Sequence, residues 1–99
     1  MRETITSLAG WPIRRNGQPI LKSTHEAFLY AQLIFNDPKR QANLVFYRDD
    51  SYIKLRAERK KAQPNYQTMM DHAVRAQLFR EALQETQRIK DEETKPEGG

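Results

Sequence analysis

The sequence predicts a mainly α fold: a compact bundle of about four helices preceded by a short hairpin-like N-terminal segment. Helix-start signals stand at Ser23…Glu26, Asp37-Pro38 and Asp50-Ser51, and each leads into apolar residues at helical spacing. Ahead of them, Asn16-Gly17 is a strong turn signal between two short arms, one carrying Leu8, Trp11 and Ile13, the other Ile20 and Leu21. With 99 residues, 37% hydrophobic and 30% charged, the chain can build one modest core under a wet surface.

The first helix opens with a capping box. Ser23 accepts from the Glu26 amide, and the Glu26 carboxylate reaches back to the Ser23 N–H. Ala27, Tyr30, Ala31, Ile34 and Phe35 follow as its apolar stripe, widened by Phe28 and Leu33. Asn36-Asp37-Pro38 stops this helix and starts a short second one over 38–46, with Asp37 as N-cap. Asp49-Asp50-Ser51 reads as a third cap, before a basic helix from Tyr52 to about Lys61 with Tyr52, Ile53 and Leu55 turned inward. Pro64-Asn65 ends it. The fourth and longest helix covers 66–89, packing through Met69, Met70, Ala73, Val74, Leu78, Ala82 and Leu83. The polar run 90–99 is expected to be a disordered tail, so residues 1–89 form the single domain.

Composition narrows the chemistry. There is no cysteine, which excludes disulfides, thiolate metal sites and a cysteine nucleophile. The two histidines, His25 and His72, have no ligand spacing, and no metal or cofactor is expected. No apolar stretch nears the ~20 residues that span a bilayer, and the start of the chain lacks a secretory pattern, so no membrane partner and a cytoplasmic location are expected.

Net charge is +4, and the excess is local. Lys54, Arg56, Arg59, Lys60 and Lys61 crowd into eight residues with Glu58 as the one acid. Such a cluster attracts phosphate, in nucleic acid or in a nucleotide; it serves equally as a solvated helix face. Glu26 also has two readings. It completes the capping box, and it is a carboxylate in the first turn of an apolar helix behind a Pro- and Gly-containing segment, a setting suited to a general base.

Several stretches, taken in order, resemble the NADAR family, the NAD- and ADP-ribose-associated fold that includes N-glycosidases. Thr6-Ser7-Leu8-Ala9-Gly10-Trp11-Pro12-Ile13 is similar to its "SNFAxxPI" opening, and His25-Glu26-Ala27-Phe28-Leu29-Tyr30-Ala31-Gln32 to its "SEHxxQAxK" helix. Arg56-Ala57-Glu58-Arg59-Lys60 resembles "GRxRK", Pro64-Asn65-Tyr66 resembles "PDW", and Met70 to Leu78 resembles the closing "MxxAxxAKF" helix. The resemblance implies hydrolysis of an N-glycosidic bond in a ribosylated base or ADP-ribose-type adduct. Glu26 would be the catalytic carboxylate stabilising a ribosyl cation. Ser7, Trp11, Arg56, Arg59 and Tyr66 would bind the ligand, the arginines through phosphate and the aromatic rings by stacking on a base. The family's Asn stands here as Ser7, its His as Ala27, its Gln as Tyr30 and its Lys as Leu33, replacements that imply a more apolar pocket with reduced or lost activity. The alternative function is a small basic helical module that binds nucleic acid or a protein partner through Lys54, Arg56, Arg59, Lys60 and Lys61.

Overall fold

A computed structural model describes residues 10–94. It contains three helices: α1 (Thr24–Ile34), α2 (Pro38–Arg59) and α3 (Tyr66–Thr94). The expectation of about four is corrected to three, because the predicted second and third helices are one. No glycine or proline interrupts the chain between Pro38 and Arg59. The residues read as a cap are otherwise engaged. Asp50 pairs with Lys54 one turn on at 3.0 Å, Asp49 pairs with Arg48 at 3.0 Å, and Ser51 is buried. Short polar side chains compete for helix termini only when no better partner is in reach, so α2 runs unbroken for 22 residues, roughly 33 Å.

α2 and α3 form a long antiparallel hairpin. At one end the Glu58 carboxylate accepts from the Asn65 N–H at 2.8 Å; at the other, Lys90 donates to the Gln41 side chain at 2.9 Å. α1 lies along the C-terminal half of α3 and parallel to it, since Thr24 donates to Glu81 at 2.8 Å while Gln41 Nε2 donates to the Ile34 and Phe35 carbonyls. The contact to Phe35 satisfies a carbonyl at the end of α1, while the Ile34 carbonyl also accepts from the Asp37 N–H at 2.9 Å. α3 continues to Thr94, through the first part of the segment read as a tail, with Arg88 paired to Glu92 across one turn. Residues 95–99 lie outside the described residues.

The N-terminal segment covers the part of α3 that α1 does not reach. Gly17 donates to the Arg14 carbonyl at 3.0 Å and Arg14 donates to the Gln18 carbonyl at 2.7 Å, closing a tight turn with an isolated antiparallel bridge between Ile13 and Pro19. Gly17 sits at φ +89°, where a side chain is strained, and a Cβ there would come within 3.2 Å of the Tyr47 hydroxyl. The Asn16 side chain accepts from the Gln18 amide, fixing the same turn. The Trp11 indole donates to the Ile20 carbonyl at 3.0 Å and meets Tyr30 edge-on at 5.1 Å between ring centres.

The core is Trp11, Ala27, Tyr30, Ile34, Leu44, Leu78, Phe79 and Ala82, flanked by the half-buried Leu21, Leu29, Leu33, Tyr47 and Leu83. Two predicted packing positions on α3, Met70 and Val74, are exposed, as is Ile53 on α2. Ile53 and Met70 lie towards the α2–α3 turn, and Val74 lines an open cleft beside the N-terminal turn. Phe79, absent from the predicted stripe, is the largest fully buried side chain.

Burial ranks the aromatic positions. Phe79→Ala should cost about 3–5 kcal/mol and Leu44→Ala about 2–5 kcal/mol, whereas Phe46→Ala, 66% exposed, should stay within about 0.5 kcal/mol. Urea unfolding followed by circular dichroism measures all three, and a Phe46 effect equal to that of Phe79 would contradict this packing.

Candidate nucleic-acid interface

The basic cluster sits where α2 ends and turns into α3. Leu44, Ser51 and Glu58, spaced by seven, are the buried residues of α2. The same periodicity turns Ile53, Arg56, Ala57 and Lys60 (i, i+3, i+4, i+7) to the opposite, outward face. These four line a shallow depression of about 400 Å³. Arg56 and Arg59 occupy the last turn of α2, where positive charge complements the helix dipole.

Local acids neutralise two of the five cations. Lys54 is paired with Asp50, and Lys61 with Glu58 at 2.9 Å. Arg56, Arg59 and Lys60 are exposed and form no ion pair among the described residues. Across the turn Tyr66, the first residue of α3, is 79% exposed. The end of the hairpin therefore presents three uncompensated cations, an aromatic face and an apolar patch at Ile53.

Glu58 holds this end in shape. Its carboxylate receives Lys61 and the Asn65 backbone N–H, and these two contacts hold it below the ordinary carboxyl value of 4.5. Asn65 in turn caps α3, its Oδ1 accepting from the Thr68 amide at 3.0 Å. His72, half-buried nearby, has its Nδ1 buried without a partner; burial first, then the charges of Arg75 and Lys54, push its titration down, so the ring is neutral at pH 7.

The residues singled out in the sequence separate in space. Arg56 and Arg59 lie in the last turn of α2 and Tyr66 at the start of α3, on either side of the same turn. Trp11 is 7% exposed, with its N–H used by Ile20, and serves the core. Ser7 lies outside the described residues. Glu26 stands in the first turn of α1, its amide donating to Ser23 Oγ at 3.2 Å and its carboxylate accepting from the Lys22 N–H at 2.8 Å. The carboxylate thus reaches one residue further back than the capping box predicts. The start of α1 meets α3 at Glu81, 15 residues and roughly 22 Å along the helix from Tyr66, so Glu26 and the two arginines share no pocket.

Sequence reasoning counted Glu58 only as the acid in a basic run. The signal for its burial was present in its seven-residue spacing from Leu44 and Ser51, which was obscured by dividing α2 at Ser51. Compared with known families, with curated proteins and with solved structures, the chain matches none, so its function is argued from its own residues. No helix among the described residues is long and apolar enough to cross a membrane.

Because the Glu58 pKa is lowered on folding, its contribution to stability is fully present above about pH 4.5 and is lost as pH falls through the lowered value. Thermal melts should therefore show Tm dropping from about pH 5 to 3, with a smaller drop in Glu58→Gln and a lower Tm for that variant at about pH 7. An unchanged acid profile in Glu58→Gln would remove the carboxylate from this role.

Proposed function

We propose that this chain is a small basic helical module that binds single-stranded nucleic acid across the α2–α3 end. The observation that carries the reading is the run of Arg56, Arg59 and Lys60 at the end of α2, none of them in an ion pair among the described residues, with the exposed ring of Tyr66 at the start of α3 across the turn. Uncompensated cations attract phosphates and release counterions, and an exposed aromatic offers a stacking face to any base. A single strand fits better than a duplex, because its bases are free to stack on Tyr66.

Three phosphate contacts give a salt slope of about −2 for a single strand, so affinity should fall roughly 20-fold between about 50 and 200 mM salt. Fluorescence anisotropy with a labelled oligonucleotide measures this. Replacing Arg56, Arg59 and Lys60 by Ala should flatten the slope, and Tyr66→Ala should weaken binding by about 1–3 kcal/mol for the stacked base. Absence of binding at low salt would overturn the reading.

The NADAR resemblance favours a second reading, an N-glycosidase of reduced activity acting on ribosylated bases or ADP-ribose-type adducts. Its support is the order of the motifs along residues 6–83. The engagement of Glu26 by the Lys22 amide weighs against it. Glu26→Gln separates the two, since Gln also accepts at a capping position. The module predicts unchanged oligonucleotide affinity and a stability change below about 1 kcal/mol. The glycosidase predicts measurable cleavage of a ribosylated base by the native chain, lowered by orders of magnitude in Glu26→Gln.

A further inference from the structure

A cleft of about 410 Å³ opens between the N-terminal turn and α3, within the volume range of small-molecule sites. Its lining is mixed, and the apolar part comes from Pro19 and Leu21 of the N-terminal segment and Val74 and Leu78 of α3. Two guanidinium-bearing residues, Arg14 and Arg75, line it together with Asp71.

Neither arginine forms an ion pair or a side-chain hydrogen bond among the described residues. The one acid in the cleft is otherwise engaged, Asp71 Oδ1 accepting from Gln67 Nε2 at 2.9 Å. Arg14 is placed by the tightest part of the turn, its backbone N–H bound to the Gln18 carbonyl at 2.7 Å and its carbonyl to Gly17. Arg75 is half-buried; its burial and the nearby charge of Arg14 disfavour its protonated form, and the Asp71 carboxylate offsets them in part. The fold thus brings an exposed and a half-buried guanidinium to one cleft with a single carboxylate between them and no ion pair among the described residues. The excess positive charge is available to an anion, and the partial desolvation of Arg75 strengthens such a contact.

We propose that this cleft binds a small organic carboxylate with an apolar body, its carboxylate held by Arg14 and Arg75 and its body by the Pro19, Leu21, Val74 and Leu78 walls. The charge count selects a monoanion, since two guanidiniums and one carboxylate leave a single positive charge. Guanidinium forks match the planar carboxylate in two-point contacts. The apolar part of the lining favours an anion with an apolar body over a bare inorganic one. The site is independent of the nucleic-acid reading: Arg75 lies nine residues from Tyr66, roughly 14 Å along α3 and half a turn around it.

The test uses the full chain with 4-phenylbutyrate as probe, and 4-phenylbutyramide and inorganic phosphate as controls, followed by calorimetry and by amide shifts in two-dimensional NMR. Phenylbutyrate should bind and shift the Arg14, Val74 and Arg75 amides, while the neutral amide should not bind. Arg75→Met should weaken binding at least about tenfold, the scale of one charge-assisted contact. Arg14→Met, on an exposed turn where folding is not at issue, should do the same. Oligonucleotide affinity should be unchanged in both variants. Equal binding of the amide, or unchanged binding in Arg14→Met, overturns the carboxylate contact. Phosphate binding as tightly as phenylbutyrate overturns the apolar-body assignment, and no binding of any probe at millimolar concentration overturns the site.

Discussion

The buried carboxylate of Glu58 is the constraint on which the rest of the molecule depends. It takes the Asn65 N–H from across the α2–α3 turn and the Lys61 ammonium from its own side. A buried acid is costly unless its oxygens are filled, so the connection of residues 60–65 must fold back over it. That sets where α3 begins, and with it the register that puts Leu44 in the same core as Phe79 and Ala82. Gln41 works at the far end, joining the carbonyls that end α1 to Lys90 of α3. Between these two polar ties the hairpin is held by apolar packing.

The same geometry accounts for the distribution of chemistry. α1 and the N-terminal turn share one side of the α2–α3 hairpin, and together they cover only part of its length. Cations that fall beneath this cover, such as Arg75, become partly desolvated. Those that fall beyond it, such as Arg56 and Lys60, remain exposed beside Ile53. One short chain therefore carries two kinds of positive surface, suited to different anions.

Local chemistry was legible in the sequence, and partnership across the fold was not. Ser23…Glu26, Asp37-Pro38 and Pro64-Asn65 mark the helix ends, because caps and prolines act through backbone groups a few residues away. Asn16-Gly17 likewise gave the turn, where Gly17 takes a positive φ. The division of α2 at Asp49-Asp50-Ser51 was an error of the same origin, since residues that favour caps stay inside a helix once Lys54, Arg48 or a buried interface engages them. Phe79 was missed because the apolar stripe was drawn through the methionines, at the less covered end of α3. The placing of Arg56, Arg59 and Tyr66 on either side of one turn followed from the Pro64-Asn65 signal. The approach of Arg14 to Arg75 depended on the docking of a segment some 60 residues away, for which no local pattern exists.

The position of Trp11 has a consequence for synthesis of the chain. Its cluster is completed by Leu78, Phe79 and Ala82, which leave the ribosome last among its members. At about 5–20 residues per second, the indole waits roughly 3–14 s and the apolar face of α1 roughly 2–11 s for their partners. During that interval α1 is a nascent amphipathic helix without a core, exposed to chaperones and to other nascent chains. The structure thus commits the earliest-made part of the fold to be the last secured.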